Sequence, residues 1–186
     1  MKSLFLLLTV ATVSLAYGQT KIGGSVMPNV MKVGDEYLKM NGGGIRTKMF
    51  MNLYIGVLYL QEKSSDATTI INADKPMAVK IKIISGMVDN ENFEEAIREG
   101  FNKSTKNNIA PIKDRMEKMI KEGFAEDIQT SDVYDLVYQP ATGCTLIKNN
   151  KSVVTVKGLD FKKALFGIWL GTQPAQEDLK LRMLGK

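Results

Sequence analysis

Histidine is absent from this chain of 186 residues, and its absence excludes several kinds of functional site. A Ser-His-Asp or Cys-His triad cannot form, no histidine can act as a general base, and a zinc or iron site built on imidazoles is excluded. Proton transfer would have to use tyrosine, lysine, a carboxylate or water. We therefore expect the protein to hold no metal ion and no cofactor.

Cysteine is nearly absent as well. Cys144 is the only one in the sequence, so an internal disulfide cannot form. Its place on a strand-like segment predicts a buried thiol, because an unpaired cysteine behaves as a small apolar residue. A catalytic role is not expected, since a nucleophilic thiol needs a base beside it.

Long apolar segments are missing, apart from a short run at residues 4–11 that follows Lys2. This run is too short to cross a bilayer, which takes about 20 residues. The small residues Ala16 and Gly18 come shortly after it. The pattern predicts a secretory signal over residues 1–18 and a mature domain over residues 19–186. We expect a soluble, exported protein, periplasmic or secreted, without a membrane span; an uncleaved N-terminal anchor is the alternative.

A large excess of one charge sign is also lacking, since 25 lysine and arginine residues stand against 20 acidic ones, a net charge of +5. Between residues 103 and 122, lysines are interspersed with Asp114, Glu117 and Glu122, which is typical of a solvated helical face. A nucleic-acid partner is therefore not expected.

Apolar periodicity divides residues 19–186 into strands and helices without a linker or an internal repeat. Period-two segments predict strands, and a period of about 3.6 residues predicts helices. The predicted strands cover residues 26–40 in short pieces, 45–60, 77–84, 133–138, 144–148 and 152–157. The predicted helices cover residues 64–73, a segment from Asp89 or Asn90, a segment from Pro111, residues 161–170 and residues 174–184. This order indicates an α+β fold, a largely antiparallel sheet with the helices packed on one face.

Two of these helices carry apolar stripes, which include Phe93, Ile97, Met116 and Phe124. Core packing is the default role of such stripes. They could instead roof a ligand cavity, because phenylalanine and methionine, of which the chain has 11, pack flexibly around an irregular guest.

Arg46 is the candidate anchor for a ligand, because it closely follows three glycines and precedes an apolar, aromatic segment. Glycine lets a ligand or a neighbouring strand approach the backbone closely. The guanidinium offers a permanent charge and a planar set of donors that fit a carboxylate or an enolate. The alternative is a glycine-rich hairpin with an arginine on its surface.

Three motifs, in this order, resemble the chalcone isomerase family, and its exported bacterial branch more closely than the plant enzymes. They are Gly42-Gly43-Gly44-Ile45-Arg46, Tyr54-Ile55-Gly56-Val57-Leu58-Tyr59-Leu60 and Ala164-Leu165-Phe166-Gly167-Ile168-Trp169-Leu170-Gly171. The resemblance implies the open-faced sandwich of that family over residues 19–186. It leaves the activity open, because the family holds plant isomerases, fatty-acid-binding relatives and members without known catalysis.

The resemblance also implies which residues form the site. Arg46 matches an arginine that helps hold the substrate anion in the plant isomerases. Tyr54 stands where those enzymes have a threonine, Phe93 where they have a tyrosine, and Gly100 where they have an asparagine. These departures remove most hydrogen bonds that would stabilise an enolate, so flavonoid isomerisation is not expected. Arginine with tyrosine instead resembles the fatty-acid-binding branch, where the two groups hold a carboxylate.

Arg46 and Tyr54 can share a ligand only if the chain bends between them. In an unbroken strand, their eight-residue separation would span about 26 Å. A turn around residues 47–51 must therefore return Tyr54 towards Arg46, or Arg46 anchors the ligand alone. Secondary candidates are Lys48, Asn52, Phe93 and Trp169, with solvent-facing strand positions as the alternative for Lys48 and Asn52 and core packing for Trp169.

Three functions are compatible with the sequence. The first is an exported module that binds a fatty acid or a similar small apolar carboxylate without catalysis. The second is an isomerase or lyase for an unsaturated carbonyl compound, with Arg46 steadying an enolate and Tyr54 moving a proton. The third is a ligand-free envelope protein that meets a protein partner, which the sequence does not identify. An apolar pocket that opens onto Arg46 would favour the first two over the third.

Overall fold

A computed structural model of the chain describes residues 18–186. The secretory signal expected over residues 1–18 therefore lies, except for Gly18, outside the described residues.

The described strands form a seven-stranded antiparallel sheet and a separate two-stranded hairpin. The hairpin pairs β1 (Gln19–Ile22) with β2 (Ser25–Pro28). The strands of the sheet lie side by side in chain order: β3 (Val30–Val33), β4 (Glu36–Lys48), β5 (Met51–Leu60), β6 (Met77–Ile83), β7 (Val133–Gln139), β8 (Gly143–Lys148) and β9 (Lys151–Val156). Short connections between antiparallel neighbours give this meander its simple order.

Five α-helices of the described chain pack on one face of the sheet, so the predicted α+β fold is confirmed. They are α1 (Ala67–Asn72), α2 (Asn90–Ser104), α3 (Lys113–Gly123), α4 (Leu159–Leu170) and α5 (Glu177–Met183), and a short 3-10 turn (Ala110–Ile112) precedes α3.

The main core lies between the helices and the sheet. Leu58 and Leu136 of the sheet share it with Phe101 of α2 and Phe166 of α4. Cys144 is buried in the same core, as the sequence predicted, and burial raises the pKa of its thiol to about 12. The thiol therefore stays protonated and unreactive at ordinary pH.

The opposite face of the sheet carries a second, smaller core with the β1–β2 hairpin. Ile55, Val57 and Tyr59 of β5 pack there with Met27 of β2. Strand β5 is therefore buried on both faces, which explains why its sequence is apolar almost without alternation.

The prediction of one strand over residues 45–60 is wrong. Strand β4 ends at Lys48 and β5 begins at Met51, and between them Met49 and Phe50 form a tight turn with φ of 50° and 66°. Glycine and asparagine normally mark a two-residue turn of this kind, because both central residues need positive φ. Residue type therefore did not mark this turn, and only the requirement that Arg46 and Tyr54 share a ligand pointed to residues 47–51.

Several helix ends differ from their predicted positions. Asp66 caps α1 by accepting two backbone N–H bonds, so the helix begins at Ala67 rather than at residue 64. Helix α5 begins after Gln176 rather than at Pro174. Asp89 caps α2 in the expected manner. Helix ends depend on which side chain reaches the free backbone N–H groups, and several neighbouring residues are able to do so.

Gly42 and Gly44 of β4 make room for helix α5. A side chain at Gly42 would overlap the main-chain carbonyl of Arg182, and one at Gly44 would meet the aliphatic part of the Arg182 side chain. At these two positions the glycine run therefore admits a helix, and not the ligand that its sequence suggested.

Candidate ligand-binding site

A cavity of about 490 Å³ lies between the β4–β5 hairpin and helices α2 and α4. Its inner wall is apolar and consists of partly or fully buried side chains: Leu53, Val88, Phe93, Ile97, Ile168 and Trp169. Its mouth is formed by exposed residues: Lys48, Met49, Met87, Asn92, Ala96 and Glu99. Pockets that enclose small molecules have volumes of roughly 300–1,000 Å³, so this cavity is large enough for one.

The turn at Met49 and Phe50 places Arg46 and Tyr54 on one wall of the cavity. The two residues are direct partners across strands β4 and β5. Directly paired residues point to the same face of an antiparallel sheet, with Cβ atoms about 5 Å apart. Of the two alternatives left open by the sequence, the chain adopts the turn within residues 47–51, and both side chains can reach one ligand group.

Arg46 is half-buried and is held by polar groups that carry no charge. Its Nη1 donates to the main-chain carbonyl of Thr47 and to Oε1 of Gln176, at 3.2 Å in the second case. The same Gln176 oxygen accepts from the Thr47 N–H at 2.8 Å. Among residues 18–186, no carboxylate forms an ion pair with Arg46. The guanidinium is therefore positioned by neutral groups, and no described carboxylate is bonded to it.

Tyr54 is buried and its hydroxyl is oriented by Trp169. The Trp169 Nε1–H donates to Tyr54 Oη at 3.0 Å. The Phe93 ring packs edge-on against the Tyr54 ring, with 6.1 Å between the ring centroids. Burial raises the pKa of Tyr54, although the hydrogen bond from Trp169 and the charge of Arg46 partly oppose this effect. Tyr54 is therefore a neutral hydroxyl that can donate its proton in a hydrogen bond.

Gly100 lets α2 and α4 approach closely at the back of the cavity. A side chain on Gly100 would come within 2.7 Å of the Ile168 Cγ2 atom. Phe93 and Gly100 thus supply only apolar wall to the cavity.

The mouth carries more positive than negative charge. Lys48 and Lys103 line it together with Arg46, and Glu99 is the acidic residue among its lining groups. Glu99 forms an ion pair with Lys103 at 2.6 Å. The hydrogen bond from Lys103 within this ion pair, together with the nearby charges of Lys103, Lys48 and Arg46, lowers the pKa of Glu99. The charge that remains unpaired at the mouth is therefore positive.

The structure places the sequence-predicted residues differently with respect to the cavity. Arg46, Tyr54, Phe93 and Trp169 line it, and Lys48 lies at its mouth. Asn52 does not line it: its side chain is exposed and accepts a hydrogen bond from Thr47 Oγ1 at 3.1 Å.

Sequence reasoning missed Gln176, Glu99 and Lys103. Lys103 falls on the same helical face as Phe93 and Gly100, at intervals of three to four residues or their sums, so helical spacing could have found it. Gln176 lies 130 positions from Arg46, and nothing local in the sequence signals that contact.

A larger crevice of about 700 Å³ opens at the other end of β4. Its lining includes lysines and glutamates in mixture: Glu36, Lys39, Glu62, Lys63 and Lys75. The positive excess of this crevice is smaller than that of the mouth at Arg46, so it favours an anionic guest less. The smaller cavity at Arg46 is therefore the better candidate.

Comparison with known proteins gives the family. A family model described as chalcone isomerase-like matches residues 19–185, so the chain belongs to the chalcone isomerase-like family. Among solved structures, the crystal structure of a fatty-acid binding protein from Arabidopsis thaliana matches with a TM-score of 0.69 and 14% sequence identity, over 87% of this chain and 92% of that chain. That likeness shows the shared fold. No curated protein matches the sequence.

None of the helices formed by residues 18–186 has the length and apolar character needed to cross a membrane.

Proposed function

We propose that this protein binds a fatty acid or a similar apolar carboxylate without transforming it. The observation that carries the proposal is the half-buried Arg46, which has no carboxylate partner among the described residues and lines a cavity of about 490 Å³. A partly desolvated guanidinium is stabilised by an anion that forms hydrogen bonds with it. The structural match to a plant fatty-acid binding protein supports the same class of ligand.

The geometry suits a ligand with an acidic head and an apolar tail. Arg46 supplies the charge, and Tyr54, held by Trp169, supplies a second, neutral donor. Phe93, Ile97 and Ile168 supply the apolar wall for the tail. Burying a carboxylate without such partners would be strongly unfavourable, so the head group should fix both orientation and selectivity.

The site favours binding over catalysis. An isomerase that used Tyr54 as a base would need its phenolate, and burial raises the pKa of Tyr54, which disfavours that form. Phe93 and Gly100 offer no side-chain donor to a developing enolate. The cavity likewise favours a ligand-binding role over the ligand-free alternative.

We further propose that the protein acts after export. The proposal is supported by the sequence of residues 1–18, with one lysine, an apolar run and small residues at its end.

The test compares acid and alcohol ligands in the wild type and in Arg46→Met. We expect hexadecanoic acid to bind the wild type more tightly than hexadecanol, because only the acid uses the charge of Arg46. In Arg46→Met the affinity for the acid should fall about 30-fold, which corresponds to about 2 kcal/mol, while the affinity for the alcohol should change little.

The matched control is Arg182→Met. It removes the same charge from an exposed arginine that pairs with Asp178 on its own helix, and it should leave both affinities unchanged. Native mass spectrometry, thermal shift and calorimetry measure binding. The proposal fails if the wild type binds no fatty acid, or if Arg46→Met keeps the preference for acid over alcohol.

A further inference from the structure

The turn between β4 and β5 holds two large apolar side chains in water. We call Met49 and Phe50 the hairpin tip. Met49 is 78% exposed and Phe50 is 102% exposed, and both have positive φ. A residue with a Cβ is disfavoured in that conformation, and exposure of the side chain adds no packing to compensate. The fold therefore tolerates both backbone strain and apolar exposure at one point.

A third exposed apolar residue lies at the same place. Met87, in the connection between β6 and α2, is 60% exposed, and Met49 and Met87 both line the mouth of the cavity. Six large apolar residues within residues 18–186 are exposed, and three of them, Met49, Phe50 and Met87, belong to this region. Single exposed apolar residues are ordinary on protein surfaces, whereas a cluster marks an interaction site.

The charges around this cluster are mainly positive. Lys48 directly precedes the hairpin tip, and Arg46 and Lys103 line the same mouth. Glu99 is already engaged by Lys103. A protruding apolar tip with basic residues behind it matches the chemistry of a bilayer surface, where apolar side chains enter the acyl boundary and cations meet anionic head groups.

We propose that the hairpin tip and Met87 form a membrane-docking surface that brings the cavity mouth onto an anionic lipid bilayer. A stable protein partner normally covers about 800 Å² on each side, far more than two or three protruding side chains provide. A bilayer needs no matching surface of its own, since it admits such side chains individually. Docking would place the mouth of the cavity at the lipid surface.

Docking itself rests on the exposed residues. Its use for loading or releasing a fatty acid rests on the function proposed above. The two ideas therefore need separate measurements.

The experiment measures binding of the protein to vesicles of phosphatidylcholine, with or without phosphatidylglycerol, by flotation. Phe50→Gly removes the apolar ring and places glycine where φ is positive, so the variant should fold at least as stably as the wild type. We expect the wild type to bind the anionic vesicles in a salt-sensitive manner, and Phe50→Gly to lose about tenfold or more in affinity. Val26→Thr is the matched control, because Val26 is 55% exposed on β2, which covers the opposite face of the sheet.

Phe50→Trp provides a second, independent test of docking. It should bind vesicles at least as well as the wild type, and its fluorescence should shift to the blue and be quenched by brominated lipid. Trp169 is buried and is the only tryptophan of the wild type, so it contributes a constant background.

Docking is refuted if the wild type binds no vesicles, if Phe50→Gly binds them as well as the wild type, or if Val26→Thr loses as much. It is also refuted if Phe50→Gly instead abolishes a concentration-dependent dimer, which would assign the tip to a second copy of the chain. Phe50 does not line the cavity. Phe50→Gly should therefore keep its equilibrium affinity for hexadecanoic acid, so that failure of docking and failure of ligand binding are told apart.

Discussion

Arg46 and Tyr54 lie directly opposite each other on strands β4 and β5, although eight positions separate them in the chain. The pairing depends on the two-residue turn at Met49 and Phe50. The hydroxyl of Tyr54 is then held by Trp169 of helix α4, at 3.0 Å. A charged donor and a neutral donor are thereby fixed on one wall of the cavity, each by a different part of the fold.

Tyr54→Phe should weaken binding of a fatty acid and also destabilise the protein. The substitution leaves the buried Trp169 N–H without its acceptor, so the free energy of unfolding should fall by about 1–2 kcal/mol in urea titrations. The affinity for hexadecanoic acid should fall about fivefold to tenfold. In a cycle with Arg46→Met, the two losses should be non-additive, because both groups hold one carboxylate. Strictly additive losses would mean that Tyr54 and Arg46 act on different ligand atoms or at different sites.

Substitutions of Ile97 should change which chain length the cavity prefers. Ile97 is buried on α2 and lines the cavity. Ile97→Phe reduces the space in the cavity. It should weaken the binding of octadecanoic acid about tenfold more than the binding of dodecanoic acid, since each methylene left unburied costs about 0.8 kcal/mol. Ile97→Val enlarges the space at the same position and serves as the opposite control. Competition binding with a series of saturated acids measures both. An equal loss for all chain lengths in Ile97→Phe would show that the tail does not pass this residue.

Gly42→Ala should destabilise the protein because α5 occupies the space in front of that glycine. The new methyl group would overlap the Arg182 carbonyl, which belongs to the backbone and cannot rotate away. We expect a loss of about 2 kcal/mol in the free energy of unfolding. Gly86→Ala is the control, since its methyl group would make an ordinary contact with Thr130 Oγ1 at 3.6 Å. A change in Gly42→Ala no larger than in Gly86→Ala would contradict the packing seen for α5.

Lys162 of helix α4 is a fully buried cation that caps the C-terminal end of helix α1. Its Nζ donates to the carbonyls of Ile70, Ile71 and Ala73, at 2.8, 2.7 and 2.9 Å. Burial lowers the pKa of Lys162 from 10.5 to about 8. Between these two values Lys162 binds fewer protons in the folded protein than in the unfolded chain, so its contribution to stability should rise as the pH rises.

Lys162→Met should remove that pH dependence. Relative to Lys162→Met, we expect the wild type to gain on the order of 1 kcal/mol of stability between pH 8 and about 9.5. The buried thiol of Cys144, whose pKa is raised, lowers the stability of both proteins over the same range, so the difference between them is the quantity to compare. Lys151→Met, at an exposed lysine of β9, should behave as the wild type. Urea titrations across this pH range provide the measurement, and identical slopes for the wild type and Lys162→Met would contradict the lowered pKa.

Much of the fold could be predicted from the sequence, because most of its elements have strong local signals. The alternation of Met77, Val79, Ile81 and Ile83 predicted β6, and the start of α2 was predicted at Asp89 or Asn90, where the helix has its cap and its first residue. The β4–β5 turn gave no such signal, because Met49 and Phe50 are poor turn residues whose conformation is imposed by the strands on either side. The β1–β2 hairpin over the second core was also not predicted, since its short strands bury little by themselves.

By itself, the sequence determined the kinds of chemistry available to this protein. It excluded histidine-based catalysis, predicted a buried cysteine and made Arg46 the candidate anchor for an anionic group, because each of these depends on residue type and local pattern. Only the tertiary structure decided that Arg46 faces Tyr54, that Gln176 and Lys103 join them, and that helix α5, and not a ligand, lies against Gly42 and Gly44. Those contacts join residues far apart in the chain, so they depend on how the sheet, hairpin and helices pack together and not on any local segment.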